Sequence, residues 1–170
     1  MLSSEWERCP NCPLPSGAVP PGANGYNDNS VVAKITRVKF ITDYGGSFGI
    51  VVRDDGNGGG YTFSLCSSLG YAFGTTWGCN MDYSTYSKAE LLLGQQFPDG
   101  GALKAEPFLS TKGSEYTYRV DVKGGTITVY INGNPILGSV TDLTYLSGGQ
   151  VSLWDTGCQL SISSVEIIAL

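Results

Sequence analysis

From Glu115 to Ile131 apolar and polar residues alternate almost without a break. Tyr116, Tyr118, Val120 and Val122 fall on one side of an extended chain, with Thr117, Arg119 and Asp121 on the other. After Lys123, Gly124 and Gly125 the pattern resumes, Ile127, Val129 and Ile131 standing against Thr126, Thr128 and Tyr130. A period of two belongs to a strand with one buried face, so the stretch predicts a hairpin. The Asn132-Gly133 step that follows suits a tight turn in which both central residues take positive φ. Similar runs occupy residues 31–42, 48–54, 60–66, 88–94, 150–156 and 158–170, each bounded by Gly, Asn, Asp or Pro. At least eight strands at close spacing, with no helical pattern, predict an all-β fold. The economical form is a two-sheet antiparallel β-sandwich, a closed barrel being the alternative.

Residues 1–30 break the pattern. Five of the eight prolines lie there, among Gly and small polar residues, and such a segment cannot build a core alone. The chain therefore divides into an N-terminal arm, 1–30, and one sandwich domain, 31–170. Cys9 and Cys12 in the arm form a CxxC with no second pair and no histidine anywhere to complete a zinc site. The blander expectation is a disulfide from Cys9 or Cys12 to Cys158, stapling the arm to the last strand.

Composition narrows the function. The formal net charge of -5 leaves no basic surface for a phosphate backbone, so nucleic acid is not an expected partner. The absence of histidine removes the commonest general base and metal ligand together. Five cysteines point to an oxidising compartment, and export or cell-surface display is expected. The opening residues, "MLSSEWERCPNC", hold no apolar central region, so the expectation of export requires a signal already removed. No apolar run is long enough to predict a membrane-spanning helix.

"FGIVVRDDGNGGGYTFSL", then "EYTYRVDVKGGTITVYINGNPILGSVTDLTYLSGGQVSLWD" and the closing "LSISSVEI", resemble the laminin-G-like, concanavalin A-like jelly-roll domains of exported microbial proteins. The order of the motifs carries the likeness over residues 31–170. The resemblance implies a jelly-roll sandwich that binds carbohydrate, as a module beside a hydrolase or as a recognition domain. One departure matters: the N-terminal strand that pairs with the closing one in such domains is replaced here by the proline-rich arm. The strand 158–170 is then expected to have an open edge, available to an arm or to a neighbouring chain in a filament or other assembly.

The glucanases of this fold class carry E-x-D-x-x-E on one strand, and this chain has no such spacing. Glycoside hydrolysis needs two carboxyl groups about 5–10 Å apart. Glu115 and Asp121 would stand roughly 20 Å apart along their strand, so no enzyme is expected. Binding is better provided for. Residues 70–86, "GYAFGTTWGCNMDYSTY", gather Tyr71, Phe73, Trp77, Tyr83 and Tyr86, and a Cys66–Cys79 disulfide closing this loop would contribute about 3 kcal/mol. Aromatic faces stack on the C–H faces of sugars, so Trp77, Tyr71, Tyr83 and Tyr86 are candidate contacts to a polysaccharide or glycan, alternatively caps on the sandwich. Arg53 could grip a ligand through its planar guanidinium, but reads more simply as a structural pair with Asp54 or a stack on Tyr61. Asp54, Asp55 and Asn57 are weak calcium candidates. They do not make an EF-hand, whose twelfth position would fall on Cys66, though a loop holding Asp142 or Asp155 could complete a site.

Overall fold

The computed structural model describes residues 16–18, 28–40, 45–55, 59–68, 87–93, 102–108, 110–146, 149–156 and 158–170. Among them the chain is all β. The strands are β1 (Ser16–Ala18), β2 (Asn29–Phe40), β3 (Gly45–Asp54), β4 (Tyr61–Ser68), β5 (Ser87–Leu93) and β6 (Ala102–Pro107). They continue with β7 (Glu115–Lys123), β8 (Thr126–Ile131), β9 (Asn134–Thr141), β10 (Gln150–Thr156) and β11 (Cys158–Ala169). Every pairing is antiparallel, in one sheet ordered β1-β10-β3-β4-β5-β6 and another ordered β11-β2-β7-β8-β9. This is the expected jelly-roll sandwich.

The alternating pattern sets the register. Tyr118, Val120 and Val122 of β7 and Ile127, Val129 and Ile131 of β8 all face inward and are buried. Val31, Ala33 and Ile35 of β2 join them. From the opposite sheet come Phe48, Ile50 and Val52 of β3, Tyr61, Phe63 and Leu65 of β4, and Val151 and Leu153 of β10. Burying a side chain of this size stabilises by about 1.5–3 kcal/mol, which makes this layer the main driving force for folding. Tyr118 meets Phe48 edge-on at 5.7 Å and 76°, a favoured geometry for two rings across the sheets. The β8–β9 turn has the anticipated form, with Asn132 at φ 51° and Gly133 at φ 79°.

Three strands are not legible in the sequence: β1, β6 and β9. Each is a sheet edge. β6 ends on Pro107 and β9 contains Pro135 and Gly138, residues that weaken a strand pattern but are tolerated where one side needs no ladder partner. The arm also differs from expectation. Ser16–Ala18 pairs with β10 of the same chain, Gly17 opposite Trp154, so part of the arm belongs to the six-stranded sheet. Among the described residues no helix is long and apolar enough to cross a membrane.

Candidate functional site

The aromatic segment with Tyr71, Trp77, Cys79, Tyr83 and Tyr86 lies outside the described residues, as does Asn57. Its anchorage is defined. Ser67 of β4 pairs with Ser87 of β5, so the segment between them leaves and re-enters the sheet at adjacent points. Ser47 of β3 pairs with Cys66, and Ser47 also faces Thr156 of β10, so three strands meet where this segment begins.

The strands that lead there carry a face that the hydrophobic pattern alone does not single out. Between the core residues of β3, β4 and β10 stand Ser47, Gly49, Val51, Thr62, Ser64, Ser152 and Trp154, small or hydroxylated apart from the valine and the indole. They project from the outer side of the six-stranded sheet, yet each of these residues is buried. The Oγ atoms of Ser47 and Ser64 are buried and make no hydrogen bond. Because Ser47 pairs with Cys66 and Gly49 with Ser64, the two serines are diagonal neighbours on one face. Trp154 is registered with Gly49, and its Nε1 lies 2.8 Å from where a Gly49 Cβ would stand, so the indole lies against bare backbone. Orphaned buried hydroxyls are uncommon and call for a polar partner. The signal is present in the sequence as alternation of serine, glycine or threonine with aromatic and aliphatic residues in "SFGIV", "YTFSL" and "VSLW".

At the opposite end of these strands a polar network binds three turns together. Arg53 sits at a register irregularity between β3 and β10, with φ 53°, and such a bulge re-aims a side chain. Its guanidinium, 1% exposed, donates from Nη1 to the Tyr145 carbonyl at 2.6 Å and from Nη2 to Asp28 Oδ1 at 3.2 Å. Asp28 Oδ1 also accepts from Gly124 N at 2.9 Å. Arg53 thus has a structural pair in Asp28, distant in sequence, and its surroundings are protein. Tyr61 completes the network: its hydroxyl donates to Asp142 Oδ1 at 2.8 Å and accepts from Tyr145 N at 3.1 Å. Its ring meets Tyr145 edge-on at 5.6 Å. Burial pushes the Tyr61 phenol up. Burial also acts to raise Asp142, but the Thr144 N–H and the Tyr61 hydroxyl outweigh it and hold that carboxyl low.

Two of the calcium candidates, Asp54 and Asp55, hydrogen-bond within the chain. Asp54 is buried and accepts from Ser152 Oγ at 2.8 Å, while Asp55 Oδ1 accepts from Gly59 N at 2.9 Å, closing the β3–β4 turn. Among the described residues no group of three acidic or thiol side chains is placed to hold a metal. The outer face of the five-stranded sheet holds the carboxylates weighed for hydrolysis. Asp121 is bound bidentately by Arg119 at 2.7 and 2.6 Å, Arg119 lies 5.0 Å from the Tyr130 ring centre, and Glu115 accepts from Ser163. This is a solvated ion pair, as the alternation of β7 predicts.

Cys158 lies at the start of β11. It is a free thiol here, 1% exposed and part of the core cluster, while Cys9 and Cys12, its expected partners, lie outside the described residues. Burial pushes this thiol up to about 12, and Asp155 adds to the effect. Its inward position on β11 follows from the strand's alternation.

Neither a protein-family model nor a curated protein matches the chain in sequence. Solved structures do match in fold. The carbohydrate-binding module CBM66 from Bacillus subtilis superposes with a TM-score of 0.62 at 13% identity, over 87% of this chain and 78% of that one. The galectin LEC-6 of Caenorhabditis elegans gives 0.55 at 14% identity, over 93% of each chain. A SAP-like pentraxin from Limulus polyphemus gives 0.55 at 15% identity, over 98% of this chain and 76% of the other. At these identities the likeness is one of fold, a jelly-roll β-sandwich.

Proposed function

We propose that this chain is a non-catalytic glycan-recognition module acting outside the cell. The observation that carries the reading is the jelly-roll fold together with the composition of the segment that joins β4 to β5. That segment bears Tyr71, Trp77, Tyr83 and Tyr86, and its ends are anchored where Ser67 pairs with Ser87. Rings supply flat apolar contact to a sugar. The fold is shared with a carbohydrate-binding module and a galectin, which supports the same reading. Non-catalytic action is supported by the carboxylates of β7, which are committed to Arg119 and Ser163 on the far face.

The test is a glycan array followed by titration with any glycan that binds. Trp77→Ala and Tyr71→Ala are expected to lose binding while keeping the unfolding midpoint. A stacked ring contributes about 1 kcal/mol beyond its buried area, so the loss in each should reach roughly tenfold or more. Full retention in both variants would overturn the assignment.

A further inference from the structure

The two sheets have four edges, and three are protected. β1 is only three residues long. β6 carries Lys104, Glu106 and Pro107, all exposed. β9 has Pro135 and a left-handed Gly138, its ladder to β8 breaks register between Thr128 and Tyr130, and it lies against β6. Short length, charge, proline and bulges are the ordinary devices by which an edge refuses another strand.

β11 is different. It runs for twelve residues, and among the described residues it is paired only with β2. From Cys158 to Leu170 there is no proline, glycine, lysine or arginine, and Glu166 is the one charged side chain. Irregularities at Gln159/Leu160 and Ile162/Ser164 disturb its first half, but from Ser164 to Ala169 the ladder to β2 is continuous. Val165 and Ile167 face the core opposite Ala33 and Val31 and are only half-buried, because no strand among the described residues flanks them on the open side. Ile168 and Leu170 are 42% and 46% exposed.

We propose that β11 pairs with β11 of a second copy of this chain, antiparallel about a twofold axis at Ile167, joining the two five-stranded sheets into one. The sequence is self-complementary in that register. Val165 stands opposite Ala169 of the copy and Ile167 opposite its own equivalent, so core-facing positions meet core-facing positions. On the outer side Glu166 meets Ile168 and Ser164 meets Leu170, so the single charge never faces itself. The half-buried Val165 and Ile167 gain the neighbours their own sheet lacks. Of the arm, Ser16–Ala18 is already engaged with β10 of its own chain.

Sedimentation equilibrium of the full chain over a roughly hundredfold range of concentration tests this. The expected result is a mass rising from 18.0 kDa towards twice that value. Ile168→Lys and, independently, Ser164→Asp place a charge on the exposed outer side of the edge. Each change occurs twice in a twofold pair, so each should weaken association about tenfold or more, while Leu143→Lys, on another exposed apolar residue, leaves it unchanged. A monomer throughout the range, a dimer indifferent to both edge variants, or equal weakening by Leu143→Lys would overturn the proposal.

Discussion

Replacing Arg53 with methionine separates two roles for a residue that the sequence offers both as a ligand contact and as a structural pair. The structure predicts that the variant loses stability and keeps its binding. At least two interactions disappear. The Nη1 bond to the Tyr145 carbonyl, 2.6 Å long and largely shielded from water, is a charge-assisted bond of about 1.5–3 kcal/mol. The Asp28 pair contributes less, under about 1 kcal/mol, because that carboxylate is 37% exposed and keeps its bond from Gly124. Methionine fills much of the same space, so the cavity cost is small. The sum is about 3 kcal/mol, which for a chain of 170 residues lowers the melting temperature by roughly 6–12 °C. Calorimetry or urea unfolding reads the stability, and titration with a bound glycan well below the melting temperature reads the site. An unchanged melting temperature with lost affinity would refute the structural assignment and return Arg53 to the ligand.

Two further perturbations probe the same frame. Gly49→Ala would place a Cβ 2.1 Å from the Phe63 carbonyl oxygen and 2.8 Å from the Trp154 indole nitrogen, and since backbone cannot move aside cheaply, denaturant unfolding should show a loss of about 2–3 kcal/mol. A variant as stable as the parent would mean that β3, β4 and Trp154 are not so closely apposed. The Cys158 thiol, raised from 9.0 to about 12, keeps its proton in the folded chain where the unfolded chain gives it up. Its stabilising contribution is whole below about pH 9 and is lost as pH rises towards 12, amounting to roughly 2–3 kcal/mol by pH 11. Cys158→Ala, less stable at neutral pH, should therefore show a flatter alkaline limb, and identical limbs in both proteins would contradict the buried position.

Strands whose side chains alternate cleanly between core and solvent are readable from the order of residues alone. β7 and β8 announce themselves because Val120, Val129 and their neighbours face a dry interior while Arg119 and Thr128 face water. The protected edges are hidden by the same proline, glycine and charge that make them safe edges. β11 has the pattern of an interior strand; its open edge is an expectation drawn from the resemblance and the proline-rich arm, and the sheet order places it at a margin among the described residues. Long-range polar partners leave no local trace. Nothing near Arg53 in the chain points to Asp28 or Tyr145, because the bulge that aims the guanidinium and the turns that receive it come together only on folding. The outer face of Ser47, Ser64 and Trp154 is spelled out in three strands, yet its meaning depends on their lying side by side.

Glycan binding by the intact chain, compared with the Trp77→Ala and Tyr71→Ala variants and with Arg53→Met, is the most direct trial of the account. Recognition by the aromatic segment 70–86 predicts binding by the parent and by Arg53→Met, and loss of roughly tenfold or more in both aromatic variants at undiminished stability. Equal affinity across all four proteins would contradict it.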